Sequence, residues 1–261
     1  MPARTTDFTP ELRSDVIRRR LFTISRDFGI LILITLLAPV LLGAALIVDI
    51  GRWAITRRPF MGVRALAFLW IFLAAEMVGL MWFAAQWVGA GFGASSRRMT
   101  ASAWQVQTWW ARTLFTAVER LFSLDVVVED LDVVRPGPII ALFRHASIID
   151  NLLPATLLSD QAGLRMRWII KRELLSIPAL DVGGRRLPNY FVDRSSDDPS
   201  IELRRIQALA ADLGEDEGVL IYPEGTRFTK AKQARAISRL SGSDPDLADR
   251  ARRMRNVLPP R

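Results

Sequence analysis

The feature that most constrains this chain is a run of 21 residues without a charged side chain, from Phe28 to Val48. A helix rises about 1.5 Å per residue, so this run matches the roughly 30 Å hydrocarbon core of a bilayer. A cleaved signal peptide is the alternative, because Arg19-Arg20 resembles a twin-arginine signal. Residues 48–52, however, contain no small-x-small cleavage site, which favours a retained membrane anchor.

A second apolar stretch, from Ala65 to Ala94, contains one charged residue, Glu76. Together the two stretches predict a membrane helical hairpin over residues 28–94, with spans at 28–48 and 65–94. A carboxylate within a span is costly unless it faces protein. Glu76 therefore either faces the hairpin partner or marks a re-entrant segment in place of a full crossing.

The basic residues around the hairpin predict its orientation. Six arginines in the basic N-terminal segment, residues 1–27, and two after the hairpin make eight on one side, against four in the intervening loop. Because cytoplasmic flanks are enriched in Arg and Lys, we expect the N-terminus and the domain in the cytoplasm. This predicts a multi-pass membrane protein, of the bacterial inner membrane if the source is bacterial.

Composition excludes several kinds of site. The sequence has no Cys and one His, so it has no disulfide, thiolate ligand or acyl-cysteine intermediate, and a multi-histidine metal site is impossible in one chain. We expect no metal and no bound cofactor. From residue 95 to the end, 25 basic and 21 acidic residues are mixed along the chain, and the basic ones are not interleaved with aromatics. That argues against nucleic acid and favours membrane lipids as partners.

After residue 95 the pattern becomes that of a globular domain. We predict a linking amphipathic helix over 95–122 and a domain over 123–261, which is truncated at its C-terminus if its relatives continue further. The predicted strands are 124–129, 138–143, 167–171, 190–193 and 218–222, and the predicted helices are 149–160, 199–213 and 231–241. This alternation predicts an α/β fold, with a mostly parallel central sheet flanked by helices behind the hairpin.

Ligands of open α/β sheets gather at the carboxyl ends of the strands, and His145 follows one such end. A lone His is more often structural, but Asp150 follows by five residues, a spacing that a turn can close. A carboxylate beside an imidazole holds its tautomer and makes the other nitrogen a better general base. Without an accompanying Ser or Cys nucleophile, such a base would act on a hydroxyl of the substrate.

Two further polar clusters follow predicted strands. Tyr222-Pro223-Glu224-Gly225-Thr226-Arg227 combines a turn-forming Gly with a carboxylate and a guanidinium that can fork onto phosphate. The alternative reading of that run is a corner with a Glu–Arg salt bridge. Lys171-Arg172-Glu173-Leu174 and Phe191-Val192-Asp193-Arg194 end two more strands and supply cations, which together predict an anion pocket.

In this order, the motifs resemble those of the glycerolipid acyltransferase family, which contains 1-acyl-sn-glycerol-3-phosphate acyltransferase. His145-x4-Asp150 is similar to its first motif, and the two cationic runs are similar to its second region. Pro223-Glu224-Gly225-Thr226-Arg227 is similar to its third, the most specific of the set. Val257-Leu258-Pro259-Pro260-Arg261 resembles its fourth, so the resemblance covers about residues 120–261.

The resemblance implies acyl transfer from acyl-CoA or acyl-carrier protein to a hydroxyl of a lysophospholipid such as 1-acylglycerol 3-phosphate. It implies that His145 is the general base and Asp150 its orienting partner. Glu224 and Arg227 would bind the acceptor, with Gly225 and Thr226 shaping the turn. The acceptor's phosphate would be held by Arg194 and Lys171.

Two other functions use the same residues. A membrane-anchored lipid-binding protein would keep the pocket without catalysis, although the intact His145–Asp150 pair argues against a degenerate site. A thioesterase-like hydrolase would activate water with the same His. The pocket cations argue against that function, because water has no phosphate to anchor.

Overall fold

The computed structural model describes residues 11–145, 147, 149–193, 199–254 and 258, with the backbone alone at 199 and 201. The chain divides into two compact units. The first unit is Met1–Asp130 with Ile169–Ala211, and the second is Leu131–Trp168 with Asp212–Arg261. The domain bounds expected from sequence stay a prediction.

The first unit is mainly helical. Its helices are α1 (Arg13–Leu36), α2 (Ala38–Thr56), α3 (Gly62–Gly89), α4 (Ser96–Phe122), α5 (Pro178–Gly184) and α6 (Pro199–Leu209). The amide of Leu37 donates to Leu33 O, and that of Leu41 donates to Leu37 O. Only Leu37, two residues before Pro39, therefore separates α1 from α2. The run from Phe28 to Val48 lies across both helices.

Two described helices, α2 and α3, are long and apolar enough to cross a membrane, with mean hydropathies of 1.6 and 2.0. Length and composition thus support an association with membranes. The Asp49 carboxylate ties the two helices together at the turn, since it accepts hydrogen bonds from the Gly62 and Val63 amides at 3.0 and 2.9 Å. These are free amides of the first turn of α3, so Asp49 acts as a cap supplied by the neighbouring helix.

Glu76, in the middle of α3, is fully buried, and its carboxylate accepts a 2.8 Å hydrogen bond from the Ala179 amide in the first turn of α5. The residue that precedes α5, Ile177, has no side-chain acceptor for that turn. Glu76 fills this role, so its carboxylate faces α5. An apolar cluster beside it joins α3, α4 and the region of α5, through Phe83, Ala103, Val106, Ala179 and Leu187.

The expected fold class is confirmed. Four parallel strands, β1 (Ile139–Leu142), β2 (Arg165–Lys171), β3 (Tyr190–Val192) and β4 (Glu217–Ile221), form a sheet in the order β1-β4-β2-β3. The first half of β2 pairs with β4 in the second unit, and its last three residues pair with β3 in the first. Two more helices, α7 (Lys230–Ser243) and α8 (Pro245–Arg253), belong to the second unit.

Two local predictions are wrong. Residues 124–129 form no strand, because none of the described strands pairs with this apolar run, and Val127 is 79 % exposed. The helix predicted over 149–160 is a 3₁₀ turn, Ile149–Asn151, followed by a π-helix, Ala155–Gln161, with Pro154 between them. The run Ser241–Pro245 ends α7 and starts α8, whose N-terminus is capped by the Asp244 carboxylate.

Gly218 lies in β4, where the backbone of β1 and the side chains of Ile139 and Met166 leave no room for a side chain. A Cβ there would lie 2.9 Å from the Ile139 carbonyl oxygen and 2.8 Å from its Cγ1. We expect Gly218→Ala to destabilise the protein by about 1–3 kcal/mol, as overpacking usually does, measured as a fall in Tm of the full chain in detergent. Gly242→Ala, in open space on α7, is the control, and an equal loss there would contradict this reading.

Candidate active site

Two of the polar clusters meet because their strands are parallel neighbours in the second unit. Leu142, the last residue of β1, pairs with Ile221, the last residue of β4. The segment after β1 is joined to the segment after β4 by the Phe143 amide, which donates to Ile221 O at 2.9 Å, and by the Phe228 amide, which donates to His145 O at 2.8 Å. The first and third motifs are therefore brought together at one end of the sheet.

His145 and Asp150 lie side by side in that loop. The distance from His145 Nδ1 to Asp150 Oδ2 is 3.9 Å, within ion-pair range but longer than a hydrogen bond. The side chains are 14 % and 18 % exposed, so the pair is largely shielded but not closed off. Catalytic hydrogen bonds are often long without substrate, and this arrangement can tighten into a base with an orienting carboxylate.

The Asp150 carboxylate is held by Ser147. The Ser147 amide donates to Asp150 Oδ2 at 2.6 Å, and its hydroxyl donates to Oδ1 at 3.3 Å. The same hydroxyl accepts from the Ile149 amide at 3.0 Å. These bonds close the turn that returns Asp150 toward His145, so the five-residue spacing works through a turn and not through a helix.

Tyr222 braces the same loop from β4. Its hydroxyl donates to the Asp150 carbonyl oxygen at 2.9 Å, and its ring lies 5.0 Å from the imidazole of His145, centroid to centroid. Burial raises the pKa of Tyr222 well above its usual value, and the negative charge of Asp150 adds to this. The hydroxyl therefore stays protonated, and keeps donating, throughout the pH range in which such a site would be assayed.

Tyr222→Phe keeps the ring and removes only the hydroxyl. We expect kcat to fall about two- to tenfold, because a neutral hydrogen bond contributes about 0.5–1.5 kcal/mol to holding the loop. The acceptor KM should change little. The pH dependence of kcat below pH 10 should keep its shape, because Tyr222 does not titrate in that range. Steady-state kinetics across pH 6–10 measure both quantities, and an unchanged kcat would contradict the bracing role.

Glu224 is 4 % exposed, and neither of its carboxylate oxygens accepts an ordinary hydrogen bond from the part of the chain that the structure describes. Its nearest cation is Arg144, whose Nε lies 3.8 Å from Oε1. Burial raises the pKa of Glu224, while the Arg144 guanidinium and the nearby Leu258 amide act in the opposite direction. A buried carboxylate with spare acceptor capacity can bind the hydroxyl of a ligand.

The rest of the third motif forms a tight turn. The Gly225 amide donates to Tyr222 O at 2.9 Å, and Gly225 has a φ of +61°, in the left-handed region that favours glycine. Lys232, at the start of α7, donates to the Thr226 hydroxyl at 2.8 Å and to the Arg227 carbonyl oxygen at 3.0 Å. The Arg227 side chain is exposed and forms no ion pair with any described residue, so its guanidinium is available to an anion.

The remaining cationic cluster lies in the first unit. Lys171 ends β2 and pairs in register with Val192, so the runs Lys171–Leu174 and Phe191–Arg194 also meet at strand ends. Arg172 forms an ion pair with Asp193 at 2.7 Å. Arg194 lies outside the described residues, as does the fourth motif apart from Leu258.

Sequence reasoning did not assign a role to four residues that shape this site: Arg144, Ser147, Tyr222 and Lys232. Ser147 lies three residues before Asp150, which is a recognisable turn spacing. Lys232 carries no such signal, because six residues and a helix start separate it from Thr226. Within the described ranges, no three carboxylate or imidazole side chains converge as a metal ion requires.

Comparison with known proteins adds one finding. A protein-family model described as Acyltransferase matches residues 125–254, a range that contains the first three motifs. No curated protein and no solved structure matches the chain at a significant level of similarity.

Proposed function

We propose that this chain, which belongs to the acyltransferase family through residues 125–254, is a membrane-bound O-acyltransferase of phospholipid biosynthesis or remodelling. The acyl donor is acyl-CoA or acyl-carrier protein. The acceptor is a lysophospholipid of the 1-acylglycerol 3-phosphate type. The observation that carries the proposal is the His145–Asp150 pair beside the turn that bears Glu224 and Arg227, on two adjacent strand ends.

The chemistry needs one base that serves twice. Nε2 of His145 takes the proton of the acceptor hydroxyl while the hydroxyl oxygen attacks the thioester carbon. The tetrahedral intermediate then collapses, the carbon–sulfur bond breaks, and the imidazolium returns the proton to the leaving thiolate. Asp150 stabilises the charged ring between these steps. The products are an oxygen ester and a free thiol, and no covalent enzyme intermediate or cofactor takes part.

Recognition of the acceptor falls to the turn after β4. Glu224 accepts a hydrogen bond from an acceptor hydroxyl, which fits its burial and its unused oxygens. Arg227 binds the phosphate through its fork of N–H donors. Gly225 and Thr226, with Lys232 behind them, hold the turn in shape. Lys171 and Arg194 are proposed to add charge for the same phosphate.

The test is an acylation panel with the purified full chain. Acyl-CoA and acyl-carrier protein thioesters are offered with lysophospholipids, glycerol 3-phosphate and neutral alcohols, and both ester formation and thiol release are followed. Ester formed with a phosphorylated acceptor supports the proposal. Thiol released without acceptor would identify a hydrolase, and lipid binding without turnover would identify a non-catalytic protein.

The membrane anchor gives a separate prediction. We expect the protein to remain in the membrane fraction after carbonate washing, because α2 and α3 expose long apolar surfaces. We also expect a reporter fused after residue 100 to be cytoplasmic, from the excess of arginines on that side. Release by carbonate would contradict the anchor, and a periplasmic reporter would contradict the orientation alone.

A further inference from the structure

Helix α1 has two faces of opposite character, and in its N-terminal half the polar face is turned toward the protein. Arg19 and Arg20 donate to the buried carboxylate of Asp181 on α5 at 3.1–3.2 Å. Further along the same face, Thr23 and Asp27 are only 3 % and 4 % exposed. The inward face of this half of α1 is therefore made of charged and polar side chains.

The opposite face of α1 carries an exposed apolar stripe. Its side chains recur at spacings of four, seven, four and four residues, which places them within about 100° of one another around the helix. Leu21 is 65 % exposed and Leu36 is 74 % exposed. The stripe is about 28 Å long, at 1.5 Å per residue. The members of this outward stripe are Ile17, Leu21, Phe28, Ile32 and Leu36.

This arrangement is the reverse of that of a surface helix in water. Such a helix buries its apolar face and exposes its polar face, because burial removes apolar surface from water. In the N-terminal half of α1, Arg20, Thr23 and Asp27 face the protein, whereas Ile17 and Leu21 face outward. A polar inside and an apolar outside are expected where hydrocarbon, and not water, surrounds a helix, and a long exposed apolar stripe marks an interaction surface.

The two ends of the stripe indicate that its partner is a bilayer. At one end, a single residue separates α1 from α2, which is one of the two helices long and apolar enough to cross a membrane. At the other end, Arg18 lies at the edge of the stripe, and its side chain is 84 % exposed. The aliphatic stem of an arginine can lie on acyl chains while its guanidinium reaches the lipid phosphates.

We propose that the outward stripe of α1 is a lipid-binding surface, which lies in the bilayer from Ile17 onward. Residues 13–27 then form an interfacial helix before the hairpin and not a segment free in the cytoplasm. Leu21 lies at the level of the headgroups, and Ile32 lies deeper in the hydrocarbon. The surface extends the membrane contact beyond α2 and α3, and it requires neither His145 nor acyl transfer.

The experiment uses the full chain in vesicles of phosphatidylglycerol and phosphatidylcholine. Leu21→Cys and Ile32→Cys are each labelled with a fluorophore, and because the chain has no other Cys, each label reports one position. We expect both labels to lose most of their emission to a doxyl-labelled phospholipid and little to aqueous iodide. A doxyl group near the headgroup should quench the label at residue 21 more strongly, and a doxyl group near the chain end should quench the label at residue 32 more strongly.

Two labelled controls set the scale. Ile47→Cys replaces an exposed apolar residue of α2 and gives the quenching of a label in lipid. Asp246→Cys replaces an exposed acidic residue of α8 and gives the quenching of a label in water. All four substituted side chains are exposed, so the variants should fold normally, and the Tm of each is measured as a check.

Two outcomes would overturn the proposal. If iodide quenches the label at residue 21 as strongly as the label at residue 246, water covers the stripe. If neither quencher reaches the label at residue 21, the stripe is covered by protein, such as a second copy of the chain. Lipid quenching at residue 47 in the same vesicles keeps the anchor separate from either result. A lipid-quenched label at residue 21 in a protein without acyltransferase activity would contradict the proposed function alone.

Discussion

His145→Ala is expected to lower kcat at least about 100-fold while acyl-CoA still binds, because a positioned general base contributes roughly 10²- to 10⁴-fold. The acceptor hydroxyl is almost entirely protonated near neutral pH, so attack on the thioester requires proton removal as the new bond forms. His145 is the only imidazole in the chain, and no second one can take over. Thiol release, followed with a colorimetric reagent, reports the rate directly, and the Cys-free chain adds no background signal.

Asp150→Asn should give a comparable loss. An amide keeps the shape of the carboxylate but carries no negative charge with which to stabilise the imidazolium. The Ser147 N–H donor at Oδ2 keeps the amide oxygen on the side of His145 Nδ1, so the missing negative charge, and not a change of tautomer, lowers kcat. The double variant should be little worse than either single one, because the pair acts as a unit. Additive losses, or a folded His145→Ala enzyme with near-normal turnover, would show that the catalytic assignment is wrong.

Arg227→Ala is expected to raise the KM for a phosphorylated acceptor about 10- to 150-fold and to change that for acyl-CoA little. A charge-assisted contact to phosphate contributes about 1.5–3 kcal/mol, and the exposed guanidinium forms no ion pair with the described residues that could compensate. Arg227→Lys should restore only part, since a point charge cannot reproduce the fork. Arg194→Ala, in the second motif, should act in the same direction.

Arg239→Ala is the control for these variants, because it removes an exposed cation from α7 in the same unit without touching the turn. Its kinetic constants should be unchanged. If both Arg227→Ala and Arg194→Ala leave the acceptor KM as it was, the acceptor is neutral or the arginines are structural, and the assignment of a phosphate acceptor fails. If Arg239→Ala leaves the acceptor KM unaltered, the loss of one positive charge from this unit does not by itself explain the rise in KM of Arg227→Ala.

The convergence of the first and third motifs followed from local pattern and one topological rule. Short apolar runs such as Ile139–Leu142 and Glu217–Ile221 predict parallel strands, and ligands collect where such strands end. His145, Asp150 and Glu224 could be placed at that end from sequence because each follows its strand within a few residues. A long charge-free run also predicted apolar helices, but the run Phe28–Val48 is divided between α1 and α2, and the helices long and apolar enough to cross a membrane are α2 and α3.

The partners of the charged groups could not be predicted. The Glu224–Arg227 salt bridge, which was the alternative reading of that run, is not formed, and Glu224 faces Arg144 from the neighbouring strand end. Lys232, not assigned to the site, holds the turn, and Glu76 caps a helix about a hundred residues later in the chain. Long side chains reach several ångströms, so their partners depend on which elements pack together and in what register, and no local pattern records that.

Sequence alone determined the features that depend on neighbouring residues. These are the apolar helices, which follow from their own composition, and the motifs after the strands, whose residue types and spacing set their chemistry. Tertiary structure alone decided where the carboxylates are neutralised and where the cations remain in excess. Asp181 and Arg185 are four residues apart and can pair locally, but only the packing of α1 against α5 brings Arg19 and Arg20 to Asp181. A buried charge must find its counter-charge in space, and distance in space is what folding, not sequence order, specifies.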